Sequence, residues 1–234
     1  MEKVNVGDFI KIEFTGRVKP EGYIFDTTSK EDAHKNGIYN PEVTYGPITL
    51  CVGKSMVLKG LDDELSGKEL GFDGKIVINP EGGFGKKDPK LLKLIPTSKF
   101  KAHNITPTPG LQVDIDGMIG FVRTVTGGRT IVDFNHPLSG KDLEYEVKIL
   151  NRVDDKVEQV SSVLTMKLNM KPDNFVVEIS DRDCKIMLKG TPELSEEMSK
   201  NISEFIKGCV DVDSVTISEN HKEKDNSKKE ENNS

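Results

Sequence analysis

Two β-rich runs, residues 74–79 and 143–150, bracket a stretch whose texture matches neither of them. Residues 86–137 carry Pro89, Pro96, Pro107 and Pro109, and then FVRTVTGGRTIVDF, where two β-rich runs flank Gly127-Gly128. Paired glycines supply the positive φ angles that a two-residue hairpin turn needs. A hairpin signal lying between two strands of another unit constrains topology strongly. The intervening residues must leave the host and rejoin it at neighbouring points, as an inserted domain does. The expectation is a host domain formed by 1–85 and 138–152, interrupted by a β-rich domain at 86–137.

The host reads as α+β, an antiparallel sheet around one short helix. From Phe9 onward, Ile10, Ile12 and Phe14 alternate with Lys11, Glu13 and Thr15, the pattern of a half-buried strand. Residues 26–47 read as loop, punctuated by Asn36-Gly37, Asn40-Pro41 and Gly46-Pro47. A strand at 48–52 precedes a helix near 57–66. That helix places Val57, Leu58, Leu61 and Leu65 on one apolar face and turns Asp62, Asp63 and Glu64 to water. Residues 153–218 read as a small α+β domain in the order helix, strand, strand, helix, strand. Val157, Val160, Val163, Leu164 and Leu168 stripe its first helix. Thr191-Pro192-Glu193 starts the second, whose buried face is Leu194, Met198, Ile202, Phe205 and Ile206. A unit this small has a marginal core, which suggests a homodimer formed through it. Residues 219–234 contain no apolar residue and read as a disordered tail.

Composition removes several classes of function. A formal charge of −6 argues against nucleic acid as a partner, since phosphate contacts need clustered Lys and Arg. No run approaches the roughly 20 apolar residues of a membrane span, and the N-terminus lacks the apolar core of a signal peptide. The expected location is cytoplasmic. Cys51, Cys184 and Cys209 show no paired spacing and sit among apolar neighbours, as buried thiols do. His34, His103, His136 and His221 are scattered, so no metal site is expected. Gly53-Lys54-Ser55 resembles the end of a phosphate loop, but Ile48 stands where that loop requires glycine. Asp114 and Asp116 lack the further ligands of a calcium loop and read as a hairpin turn.

What remains is an aromatic and aliphatic inventory with one carboxylate and no nucleophile–base pair. FTG (14–16), FD (25–26), VGKSMVLKGLDDEL (52–65), NPEGGFG (79–85) and LEYEV (143–147) occur in that order. Together they resemble the FKBP-type peptidyl-prolyl cis-trans isomerases. The insertion after Gly85, ending in VDFNHPLSGKDL, is similar to the insert-in-flap domain of SlyD-like and archaeal members, and the added C-terminal unit to that of the long archaeal ones. The resemblance implies the FKBP fold, a hydrophobic cleft between a curved antiparallel sheet and the short helix, and no cofactor. It implies Phe25, Asp26, Phe84 and Tyr145 as the catalytic set. It further implies Phe14, Ile48, Val57, Leu58 and Leu61 as substrate-binding residues, with the Leu58 backbone amide on a substrate carbonyl. Leu61 replaces the tryptophan floor of the best-known members, and Phe14 and Phe84 stand where tyrosines are usual.

The residues make sense without the family. Rotation about a prolyl amide crosses a barrier of about 20 kcal/mol with no obligatory proton transfer. The planar amide is more charge-separated than the twisted one, so a dry apolar pocket favours the twisted state. Asp26 then orients substrate or polarises a neighbouring donor. In the insert, Ile95, Phe100, Ile105, Leu111, Met118, Ile119 and Phe121 exceed what so short a segment can bury, which points to a surface for unfolded or proline-containing polypeptides. A plain insert core is the bland alternative. A holdase chaperone or scaffold with a vestigial isomerase pocket is the rival reading.

Overall fold

The computed structural model describes residues 2–189 and 194–219. Strand β1 (Phe9–Lys19) is the spine of the first sheet and buries Ile10, Ile12, Phe14 and Val18. β2 (Ile24–Thr27) pairs antiparallel with its second half, Gly16 opposite Asp26. The segment expected to be loop contains a helix, α1 (Lys30–Lys35), capped by Ser29 Oγ accepting the Asp32 amide at 3.1 Å. It buries only Ala33, so it carries no apolar periodicity to read. β3 (Ile48–Cys51) takes the first half of β1.

Helix α2 (Lys59–Leu65) is shorter than expected, with Val57 and Leu58 ahead of it and Leu58 as its cap residue. Burying Leu61 and Leu65 contributes about 2 kcal/mol each. Asp62 does not face water. It is 2% exposed, and its carboxylate accepts the backbone amides of Gly53 at 2.8 Å and Ser55 at 2.7 Å. Ser55 sits at φ 51°, a conformation that side-chain-bearing residues rarely adopt, and Asp62 holds it there. β4 (Asp73–Ile78) closes this half of the host.

The insert comprises β5 (Leu92–Pro96), α3 (Thr97–Ala102), β6 (Gln112–Ile115), β7 (Met118–Thr126) and β8 (Arg129–Asp133) in a sheet of order β5-β8-β7-β6. Gly127 and Gly128, at φ 57° and 74°, make the β7–β8 turn, and Asp116-Gly117 makes the β6–β7 turn in the same way. Its core is Phe100, Val113, Val122 and Val132. The two ends meet at a neck, where Asn135 Oδ1 accepts the Asp88 amide at 2.8 Å and Asn135 Nδ2 donates to the Asp88 carbonyl at 3.1 Å.

β9 (Asp142–Arg152) then returns between β1 and β4, giving the order β2-β1-β9-β4 with β3 also on β1. α4 (Lys156–Leu168) follows after three residues. β10 (Phe175–Ser180), β11 (Asp183–Leu188), α5 (Glu196–Lys207) and β12 (Ser214–Glu219) complete a sheet of order β10-β11-β12, in which β11 and β12 run parallel across α5. Val157 and Met198, expected on buried stripes, are exposed in the first turns of α4 and α5. The tail expected at 219–234 begins inside β12, which includes Glu219, and its remainder from 220 onward, like the helix start expected at Thr191–Glu193, lies outside the described residues. In the described part, Ser195 Oγ accepts the Met198 amide and caps α5. Val160, Val163, Leu164, Ile202 and Ile206 belong to the same apolar core as Ile10, Leu50 and Val147. The C-terminal unit therefore packs on the host sheet. Cys51 and Cys184 are buried free thiols, and Cys209 is half-buried.

Candidate active site

All nine cleft residues expected from sequence line one cavity of about 490 Å³: Phe14, Phe25, Asp26, Ile48, Val57, Leu58, Leu61, Phe84 and Tyr145. They come from six separate pieces of chain, each placed for a local reason. β1 presents Phe14 and β9 presents Tyr145 beside it, their ring centroids 5.6 Å apart and edge to face. β2 supplies Phe25, which meets Tyr145 at 5.7 Å and Phe84 at 6.0 Å, again edge to face. This cluster forms because residue 16 is glycine: a Cβ there would lie 2.9 Å from the Phe25 ring and 3.0 Å from that of Tyr145. The turn fixed by Asp62 sets Val57 and Leu58 at the rim, and α2 raises Leu61 as the floor.

Phe84 is carried on the NPEGGFG turn. Asn79 Oδ1 accepts the Gly82 amide at 3.0 Å, and the Gly82 carbonyl accepts the Gly60 amide from α2 at 2.8 Å. Gly60 has no room for a side chain, since a Cβ would meet Ile78 at 2.5 Å and the Gly82 carbonyl at 2.8 Å. Ser139 Oγ donates to the Phe84 carbonyl at 3.0 Å from the far side of the neck.

Asp26 lies exposed at the cleft mouth, yet burial of its carboxyl against the aromatic wall raises its pKa, with the Thr27 amide acting the other way. The Tyr145 phenol is pushed well above its ordinary value, first by burial and then by the charge of Asp26, so its O–H stays a proton donor at neutral pH. Among the described residues no His, Cys, Asp or Glu cluster could hold a metal ion, and no helix is long and apolar enough to cross a membrane.

Four lining residues were missed: Met56, His136, Leu138 and Met166. Met56 lies inside the motif VGKSMVLKGLDDEL and was within reach of the sequence. His136 stacks on Phe84, centroids 4.4 Å apart and planes 6° apart. Its Nδ1 accepts the Leu138 amide at 3.2 Å, which leaves the proton of the neutral ring on Nε2. As an isolated histidine it gave no spacing signal. Met166 comes from α4, and nothing local to that helix marks it.

In the insert, Phe100 is a correction: at 4% exposure it is core, not surface. Ile95 and Leu111 pack half-buried around it. Ile105, Met118 and Ile119 are exposed, as are Leu92, Leu94 and Ile131, which the sequence reading omitted. Pairing of Leu94 with Ile131 and of Phe121 with Asp133 puts Leu92, Leu94, Ile131, Ile119 and Phe121 on the sheet face away from the insert core. On the other side, a groove of about 560 Å³ runs between Ile95, Phe100, Ile105 and Ile115.

The family described as the FKBP26 IF domain matches residues 93–138. The short-type peptidyl-prolyl cis-trans isomerase of Methanocaldococcus jannaschii is 32% identical over 146 residues, 62% of this chain and 92% of that protein. A probable FKBP-type 16 kDa peptidyl-prolyl cis-trans isomerase of Pseudomonas fluorescens is 33% identical over 110 residues, 45% of this chain and 72% of its own. The FKBP-type isomerase SlyD of Haemophilus influenzae is 24% identical over 119 residues, 49% and 62% of the two chains. This chain belongs to the FKBP-type peptidyl-prolyl cis-trans isomerases. It is a member with an insert-in-flap domain.

Proposed function

We propose that the chain isomerises X–Pro bonds in this cleft and captures unfolded polypeptides on its insert. The observation that carries the first half is the convergence of five separated motifs on one apolar cavity. Phe25, Phe84 and Tyr145 wall the proline ring, Leu61 floors it, and Asp26 orients the peptide at the mouth. Leu58 supports the substrate-carbonyl role: its backbone amide, at the head of α2, donates to no acceptor among the described residues. A donor there suits a backbone carbonyl next to the rotating bond, which it would anchor while the prolyl amide twists.

Asp26→Ala and Phe84→Ala should each lower kcat/KM on proline tetrapeptides by about tenfold, the loss expected for one ring-scale contact of roughly 1–1.5 kcal/mol. Unfolding midpoints should move little for Asp26→Ala. Wild-type rates in both variants, or no acceleration of proline-limited refolding by the unaltered protein at catalytic concentration, would leave the holdase reading standing instead.

The second half rests on the exposed apolar residues of the insert, including Leu94 at 58% and Ile119 at 60% exposure. Its groove, lined by Ile95, Ile105 and Ile115, offers an extended chain a second apolar contact. We divide the chain accordingly into 1–85 with 138–152, 86–137 and 153–218. The last unit is the proposed homodimer contact, supported by β10 and β12 each having a single strand neighbour among the described residues. Light scattering should give a dimer for the whole chain and a monomer for 1–152. Equal masses per chain in the two would remove this contact.

A further inference from the structure

The cleft has one wall that no isomerase motif supplies. β9 passes into α4 through Val153–Asp155, and the Val153 amide donates to the Phe9 carbonyl at 2.8 Å, so the helix starts flush against the host sheet. Asp155 caps it through the amides of Val157 at 2.7 Å and Glu158 at 3.1 Å. Glu158 then accepts from Lys11 Nζ at 2.7 Å and from Thr49 Oγ1 at 2.9 Å, tying the first turn to β1 and β3. Val160, Val163 and Leu164 fill the space below in the shared core. At the far end Lys167 Nζ donates to the Ser55 carbonyl at 3.0 Å, on the same turn that Asp62 fixes from the other side. Helix α4 is thus pinned at both ends and packed between. It delivers Met166 to the cleft, where the side chain shares the lining with Ile48, Met56 and Val57.

We propose that Met166 is a specificity-determining residue of the isomerase reaction. Its thioether contacts an apolar side chain adjoining the substrate proline, so the C-terminal unit helps decide which X–Pro sequences are turned over. This inference rests on the cleft being the substrate site. The geometry favours a flanking residue over the proline itself: the rings of Phe14, Phe25, Phe84 and Tyr145 pack edge to face on one another, whereas Met166 enters on a helix tied to β3, the strand of Ile48, and to Ser55, the neighbour of Met56. The cavity also holds more than one pyrrolidine ring fills. A methionine suits this place because an unbranched, polarisable side chain adapts to neighbours of different shape. It sits on a helix held at both ends, so the adaptation is confined to the side chain.

The test uses the full chain, with Met166→Ala and Met166→Glu, on two tetrapeptide series varied before and after proline through Ala, Leu, Phe, Lys and Glu. In one series the ratio of kcat/KM for Leu over Ala should fall about five- to tenfold in Met166→Ala, the scale of discrimination that a few apolar carbons provide. Met166→Glu should reverse the order of Lys and Leu in that same series. Ratios unchanged in both variants and both series overturn the proposal. A uniform fall across all peptides does so too, because it marks support of the fold and not contact with substrate. Asp26→Ala run in parallel separates the two levels. If it leaves every peptide at the wild-type rate, the cleft reading fails. If it slows all peptides while Met166 variants keep wild-type ratios, this inference alone fails.

Discussion

Replacing residues 89–134 by two glycines, which joins Asp88 to Asn135 across the neck, should slow catalysed refolding of a proline-limited unfolded protein about a hundredfold. Isomerisation of tetrapeptides should stay within about threefold. The asymmetry follows from effective concentration: a chain held on one site of a molecule meets the second site at millimolar local concentration, a gain of two or more orders with no new contact at the second site. The cut is set by the structure. Removing all of 86–137 would also take away His136, which stacks on Phe84 and lines the cleft, and would confound capture with catalysis. The Asp88–Asn135 pair, exchanging two hydrogen bonds, keeps the stump closed. Parallel losses on peptides and proteins would refute capture by the insert.

The second large effect concerns Asp133, at the base of the insert, with a side chain 5% exposed. Its carboxylate accepts from Lys87 Nζ at 2.9 Å, from Arg123 Nε at 3.0 Å and Nη2 at 2.9 Å, and from the Asn135 amide at 2.9 Å and Nδ2 at 2.8 Å. Burial raises its pKa, but the bonds from Lys87, Asn135 and Arg123 outweigh that and hold it far below the ordinary carboxylate range. Asp133→Ala should cost about 2–3 kcal/mol at neutral pH, the scale for removing a buried group from charged hydrogen-bond partners that remain partly solvated. The sign with pH is fixed. A depressed native pKa gives stability that is complete above the unfolded value near 4, and that shrinks as pH falls toward the native one. Denaturant unfolding of wild type and variant should therefore differ most at pH 6–7, and the gap should narrow progressively as pH falls below about 4. A gap that stayed constant down to pH 3 would mean that Asp133 acts through packing alone.

What could be read in the sequence was whatever chain-local chemistry determines. The alternation of β1, the Gly127-Gly128 turn and the Leu61–Leu65 spacing each state their structure within a dozen residues, because periodicity and turn geometry are short-range. The nine cleft residues lay inside such segments. Helix α1 was invisible because a six-residue helix burying one alanine leaves no pattern. Asp62 was misread because its helical face predicts water, while a turn from nine residues upstream folds over it. Phe100 looked like spare apolar surface until α3 closed it over Val113 and Val132. His136 and Met166 reach the cleft only through a neck and a docked helix, both products of tertiary packing.

The position of β9 bears on how the molecule reaches its native state. The last strand of the host is also its inner one, so neither β1 nor β4 can be completed until the chain has passed through the whole insert. Ile78 must find Leu143 across that detour. In the insert, by contrast, β6, β7 and β8 are neighbouring hairpins that can form early, and β5 then adds to β8. Once its neck is tied at Asp88 and Asn135, the detour shrinks to about 18 residues, lowering the entropic cost of closing β4 on β9 by about 1 kcal/mol. The domain proposed to hold other unfolded chains thus first acts on its own host, as the clasp that brings the catalytic sheet's two ends within reach.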